Sequence, residues 1–258
     1  MCGDGVEYLR QMGPVDFIYL DPARRDEHGS RTYAIEDCTP NVLELRDLLL
    51  AKSQYTLVKL SPMLDWRKAV ADFDGTVREV HIVATGNECK ELLLVLGQQV
   101  HEEPSAPRVF CVNDNQRIDY DSAAYTQGLR IGGKPLPEAK NYLYEPNASI
   151  MKAGCFDLVE ERFGVTQVGP SSHLFVSATP VADFPGRGFA IEAIGGMNKK
   201  DIKRLLNGTK QANIAVRNFP LTAPQLRKKL KLADGGPVYL FGTTMQGCDH
   251  VLLRTSKI

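Results

Sequence analysis

The chain has 258 residues, in which 31 Lys and Arg balance 31 Asp and Glu to a formal net charge of zero. Hydrophobic residues make up 43% and charged residues 24%, an ordinary globular composition that excludes disordered and collagen-like classes. No apolar run approaches the roughly 20 residues of a membrane span, and the N-terminus lacks the layout of a signal peptide, so no membrane partner and a cytoplasmic location are expected.

Taken in chain order, residues 3–9 form a turn carrying Asp4 that leads into a short helix. Residues 15–20, VDFIYL, are a short apolar run ending in Asp21-Pro22, as expected of a buried parallel strand stopped by a turn. Thr39 and Pro40 predict an N-cap and first position for a leucine-rich helix over 42–50. The next strand, 55–60, stops at Ser61-Pro62, and Asp65 caps a helix reaching residue 73. Runs 79–85 and 91–96 are two strands whose connection is so short that they must pair antiparallel.

Residues 101–107, with Pro104 and Pro107, have the composition of a linker. After a strand at 108–112, the best pattern is a single helix from Asn147 to about residue 162, with Met151, Cys155, Leu158 and Val159 on one face. From residue 188 the order is strand 189–194, helix 199–206, strand 212–216, a Thr222-capped helix to 232, and a hairpin of 238–243 with 251–255. Three domains are therefore expected: 1–105, 106–186 and 187–258.

Charge is unevenly spread over these segments. Residues 1–105 carry 11 Lys and Arg against 18 Asp and Glu, residues 106–186 carry 7 against 9, and residues 187–258 carry 13 against 4. A local excess of +9 over 72 residues is the footprint of a polyanion partner, because each cation set near a phosphate releases a counterion; its bland alternative is a solvated basic face. Lys199, Lys200, Lys203 and Arg204 fall at helical spacing, and Arg227, Lys228, Lys229 and Lys231 crowd the second helix of this segment. The six cysteines form no CxxC and the five histidines no HxxH or HExxH, so neither a metal site nor a disulfide framework is expected.

Candidate chemistry gathers after the first two strands. Asp21-Pro22-Ala23-Arg24-Arg25 sets an acid, a rigid turn and two guanidiniums at the carboxyl end of a strand, where open parallel sheets bind ligands. Lys59 and Ser61 end the neighbouring strand at the same edge. The plainer readings are a turn acid for Asp21 and local ion pairing with Asp26 and Glu27 for Arg24 and Arg25. Ser61 has no GxSxG elbow, which argues against a hydrolase, and Cys38 reads as a structural thiol.

These residues in this order resemble a bacterial class I S-adenosylmethionine-dependent methyltransferase family with an appended ferredoxin-like domain and a C-terminal THUMP-like domain. Gly3-Asp4-Gly5 is similar to the element whose acid meets the adenine end of the cofactor, and Asp21 to Arg25 to the fourth-strand catalytic motif. Lys59 to Asp65 and Asn87-Glu88-Cys89-Lys90-Glu91-Leu92-Leu93 resemble later strand elements. Tyr144-Glu145-Pro146-Asn147, Met151-Lys152-Ala153-Gly154, Ala215-Val216-Arg217-Asn218-Phe219-Pro220 and Val238-Tyr239-Leu240-Phe241 resemble the two small domains.

The resemblance implies an α/β fold: the C-terminal half of a Rossmann-like class I sheet followed by small α+β domains. It implies S-adenosyl-L-methionine as cofactor, held by Asp4, Gly5 and Asp21, with Asp21, Pro22 and Arg24 catalytic and RNA as substrate. Arg25, Lys59, Ser61, Lys199, Lys203, Arg204, Arg217, Arg227 and Lys228 are the candidate substrate-binding residues. Arg24 stands where base methylases of the Asp-Pro-Pro-Tyr type carry a stacking aromatic, which suits phosphate pairing better than a flipped adenine. The family's glycine-rich cofactor loop does not precede these motifs, so the expectation is a truncated chain, inactive alone, that dimerises or aggregates through an unpaired edge at strand 15–20. The competing function is a non-catalytic RNA-binding or ribosome-associated protein with a vestigial methyltransferase fold.

Overall fold

The computed structural model describes residues 3–23, 35–98, 106–125, 140–247 and 249–258, and the chain divides into two units, Met1–Thr126 and Gln127–Ile258. In the first unit Asp4 caps α1 (Gly5–Gln11) by accepting from the Val6 and Glu7 amides at 2.8 and 2.9 Å. After β1 (Val15–Leu20) comes α2 (Val42–Lys52), capped by Asn41 and not by Thr39. Thr39 is unavailable because its backbone exchanges hydrogen bonds with Ala23, at 2.8 and 2.9 Å, closing the chain that leaves β1. Next are β2 (Ser53–Leu60), α3 (Trp66–Asp72) with Asp65 as its cap, β3 (Val77–Thr85), β4 (Glu88–Gly97), β5 (Arg108–Asn113) and β6 (Gln116–Asp121).

These strands form one sheet of order β1-β2-β4-β3-β5-β6. The β3-β4 hairpin pairs antiparallel, as its short connection requires, and folds back so that β4 lies between β2 and β3. One face is core: Val58, Leu60, Val80, Ile82, Leu92, Leu94 and Leu96 are buried, as are Leu49 of α2 and Trp66, Ala69 and Phe73 of the α3 segment. The other face is open along β1 and β2, where Phe17, Tyr19 and Tyr55 remain 54%, 55% and 44% exposed. Among the described residues β1 pairs only with β2, parallel, and so is an edge strand.

The second unit runs β7 (Tyr142–Pro146), α4 (Ala148–Ala153), α5 (Phe156–Phe163), β8 (Thr166–Gln167), β9 (Phe175–Ser177), β10 (Gly186–Gly195), α6 (Lys199–Leu206), β11 (Asn213–Arg217), α7 (Ala223–Leu230), β12 (Val238–Thr244) and β13 (His250–Lys257). The single helix expected from Asn147 is in fact two. Asn147 caps the first, and Gly154, at φ 67°, ends it in the left-handed conformation that glycine adopts without a Cβ clash. The sheet order is β11-β12-β13-β10-β7-β9-β8. Alternate residues feed two cores: Leu143, Val176, Phe189, Phe241 and Leu253 on one face, and Leu240 and Leu252 with Leu205, Leu226 and Leu230 of α6 and α7 on the other.

The first of these faces is concave. Strands β11 and β7 are four places apart, roughly 19 Å on a flat sheet, yet Arg217 at the end of β11 reaches Glu145 on β7 at 2.8 Å. The sheet must therefore coil until its corners meet, helped by a register shift at Ile191/Ala193. The loop after β8 closes the approach, with Gln246 donating to the Val168 carbonyl at 3.0 Å and Asn218 to the Pro170 carbonyl at 2.7 Å. Gly169 fits there because a Cβ would lie 2.4 Å from the Thr244 carbonyl oxygen.

Residues 108–121, expected to open the middle domain, are strands of the first sheet, while strands on both sides of residue 186 belong to the second. Of the expected linker at 101–107, residues 101–105 lie outside the described residues.

Candidate active site and basic surface

Asp21 follows β1, Lys59 is the second-to-last residue of β2, and the parallel pairing of those strands brings both to one edge. Lys59 Nζ donates to Asp21 Oδ2 at 3.0 Å and lies 3.7 Å from Glu91 Oε1. The hydrogen bond to Asp21 is the main reason the Lys59 pKa stands above the usual lysine value; burial opposes it and the charge of Glu91 adds to it. Glu91 Oε2 is buried and has no hydrogen-bond partner among the described residues.

Glu91 was not singled out from the sequence. It sits two residues before Leu93, whose Cα partner is Lys59, and strand alternation gives it the same face. The insertion of β4 beside β2 creates that proximity, so only the hairpin register reveals it.

Asp4 and the end of β1 line a common cavity of about 410 Å³, with Gly5, Tyr19, Leu20, Thr39 and Pro40 among its walls. Its size is that of a small-ligand site, and its walls are apolar around one acid. Both capping bonds of Asp4 go to Oδ1, so Oδ2 is not used by the helix end. A larger cavity of about 630 Å³ opens at the other end of the strands, beside Val15, Ser53 and Tyr55. The smaller one is the better candidate because ligands of open α/β sheets sit beyond the carboxyl ends.

Pro22 is buried directly after Asp21. Ser61 is buried too, and its hydroxyl accepts from the Met63 amide at 3.3 Å, a local turn bond. Arg24 and Arg25 lie outside the described residues. In the second unit three candidate arginines are engaged internally. Arg204 donates to the Ile194 carbonyl and pairs with Asp201, and Arg227 donates to the Ala212 and Ala233 carbonyls. Arg217 pairs with Glu145. Lys199, Lys203 and Lys228 are exposed on α6 and α7, which pack on the same face of the sheet.

Among the described residues no three His, Cys, Asp or Glu side chains gather as a metal site requires, and no helix is long and apolar enough to cross a membrane. Cys38 is a buried cysteine.

The chain has a mixed α/β fold built on two mixed sheets, and it shares that fold with a solved relative. That relative is the crystal structure described as a "putative methyltransferase from Porphyromonas gingivalis W83", matched with a TM-score of 0.85 at 35% sequence identity over 99% of this chain and 63% of that one. The chain thus spans less than two thirds of the relative's length. Residues 142–185 match the family model of a ferredoxin-like domain and residues 186–257 that of a THUMP-like domain. No curated protein matches the chain significantly. The chain is thus similar to a methyltransferase-like structure over nearly its whole length, and its C-terminal part is similar to a ferredoxin-like and a THUMP-like domain.

Proposed function

We propose that this chain belongs to an S-adenosylmethionine-dependent methyltransferase acting on RNA, with Asp21 at the reacting centre and the basic THUMP-like region on the RNA backbone. The observation that carries the reading is the Asp21–Lys59–Glu91 cluster, set at the carboxyl edge of the sheet beside the cavity that Asp4 lines. The cavity suits an adenine ring: its lining is mostly apolar, Leu20 and Pro40 included, and the Asp4 Oδ2 that the helix cap leaves unused can accept from an exocyclic amine. When bound, the cofactor supplies an electrophilic methyl group on a sulfonium. Displacement at that carbon demands positioning and exclusion of water more than covalent help.

The roles of this chain's residues follow from that demand. Asp21 accepts a hydrogen bond from the nucleophile and fixes its lone pair toward the cavity. Lys59 holds the Asp21 carboxylate, and Pro22 stiffens the turn behind it. Arg24 and Arg25, next in sequence, supply guanidiniums for a substrate phosphate. Lys199, Lys203 and Lys228 meet further phosphates as point charges, so RNA affinity falls steeply with salt.

The test is calorimetric titration of S-adenosylhomocysteine into this chain and into any longer product of its gene, followed by transfer of labelled methyl to RNA. Cofactor binding that weakens in Asp4→Ala and methyl transfer that vanishes in Asp21→Ala support the proposal. Retention of RNA with no cofactor binding by either sample refutes it in favour of a non-catalytic RNA-binding protein.

A further inference from the structure

The coiled sheet of the second unit holds a cluster that the proposed reaction does not use. Glu145 is 3% exposed and both its oxygens are taken by arginines. Arg187, its register partner on β10, grips Oε2 through Nε at 3.0 Å and through Nη2, while Arg217 donates from Nη2 to Oε1 at 2.8 Å. One carboxylate between two guanidiniums leaves a charge excess of +1. Of the ten N–H groups on two guanidiniums, only three are directed at Glu145.

These cations are not sealed in. Arg187 and Arg217 side chains stay 44% and 39% exposed. The buried part of Arg217 is unsatisfied: among the described residues its Nε has no hydrogen-bond partner, nor has the Oγ1 of Thr243, which is fully buried. Arg217 and Thr243 are Cα partners on parallel strands and therefore project to the same, concave face. His173 completes the surroundings; it stacks on Phe156 at 4.6 Å, and burial together with the nearby Arg217 charge holds its pKa below the usual histidine value.

Two guanidiniums held side by side, with spare donors, net positive charge and an unpartnered hydroxyl beside them, fit a tetrahedral oxyanion. We propose that Arg187, Arg217 and Thr243 form a phosphate-binding site preset by Glu145. Glu145 fixes both forks in advance, so the ordering that would oppose binding is already made. The phosphate is either a free anion or a backbone phosphodiester of RNA, and the same geometry serves both. The site is independent of the methyl-transfer reading, since every group in it lies in the second unit.

The experiment is nuclear magnetic resonance titration of the whole chain, observing the His173 ring and the Arg217 Nε–H, first with sodium phosphate and then with a short RNA lacking terminal phosphates. A saturable shift with an upward move of the His173 pKa is the expected result, because an anion beside Arg217 offsets its charge. A response to phosphate alone identifies a free-anion site, and a response to both identifies a backbone contact. Arg187→Lys keeps the charge but loses the fork, and Thr243→Val keeps the shape but loses the hydroxyl; each should weaken binding about tenfold. The proposal fails if the folded wild-type chain shows no saturable shift with either probe, or if both folded variants bind as tightly as wild type. RNA binding that leaves these resonances unmoved assigns the RNA contact to the exposed lysines instead.

Discussion

Glu145 also anchors the second unit, since one partner, Arg187, lies on the neighbouring strand β10 and the other, Arg217, on the edge strand β11. Removing one member of a buried ion pair leaves the rest uncompensated, so Glu145→Gln should cost about 3 kcal/mol of stability, measured by urea unfolding. His173 sets a pH dependence of definite sign. Its folded pKa lies below the unfolded value, so the unfolded chain takes up the proton first and stability falls as pH drops below about 6.5, levelling once the folded form is protonated. Denaturation midpoints compared between pH 7.5 and 5.5 should show that loss, and His173→Gln should reduce it. In the first unit, Lys59→Met should lower kcat for methyl transfer while leaving cofactor affinity near wild type, because Lys59 touches Asp21 and does not line the Asp4 cavity.

The caps and turns show how local chemistry writes the elements and where it is overruled. Asp4, Asp65, Asn147 and Thr222 cap the helices as their spacing to the following apolar residues requires, and Thr222 with Gln225 completes a capping box. Asn41 displaces Thr39 because a bridge to Ala23 claims Thr39 first. The open face and edge of β1 carry a consequence of their own. A parallel edge strand whose outer side has no partner among the described residues, and which bears exposed Phe17 and Tyr19, is a template for pairing, and we propose that two copies of the chain associate through it. Light scattering should show mass rising with concentration, and Phe17→Lys should return the chain to a monomer; a wild-type monomer at high concentration would overturn this. Gly169→Ala tests the closure of the second sheet, since the added methyl meets backbone and not a yielding side chain. It should lower the melting temperature by several degrees.

The two units share the chain with different electrostatics, an acidic N-terminal part and a basic C-terminal one. Each has its own sheet, and the second holds its ferredoxin-like and THUMP-like portions in one continuous ladder through the β7–β10 pairing. Residues 140–258 should therefore unfold in one cooperative transition when produced alone, with fluorescence and circular dichroism midpoints coinciding. Separate transitions for the two portions would show that the shared sheet does not couple them.

Short-range order was legible because its causes are short-range: apolar runs closed by Asp-Pro and Ser-Pro predict β1 and β2, cap residues predict the helix starts, and a connection too short to cross over predicts the β3-β4 hairpin. Asp21, Lys59 and Asp4 could be nominated for the same reason, as they end or begin such elements. Strand order was another matter. That β4 inserts beside β2, bringing Glu91 to Lys59, and that the second sheet coils until Arg217 meets Glu145 across 72 positions of sequence, depend on register and twist summed over many strands. Period-2 alternation states which face a residue takes but not which strand lies opposite, and that choice was made only when both cores packed.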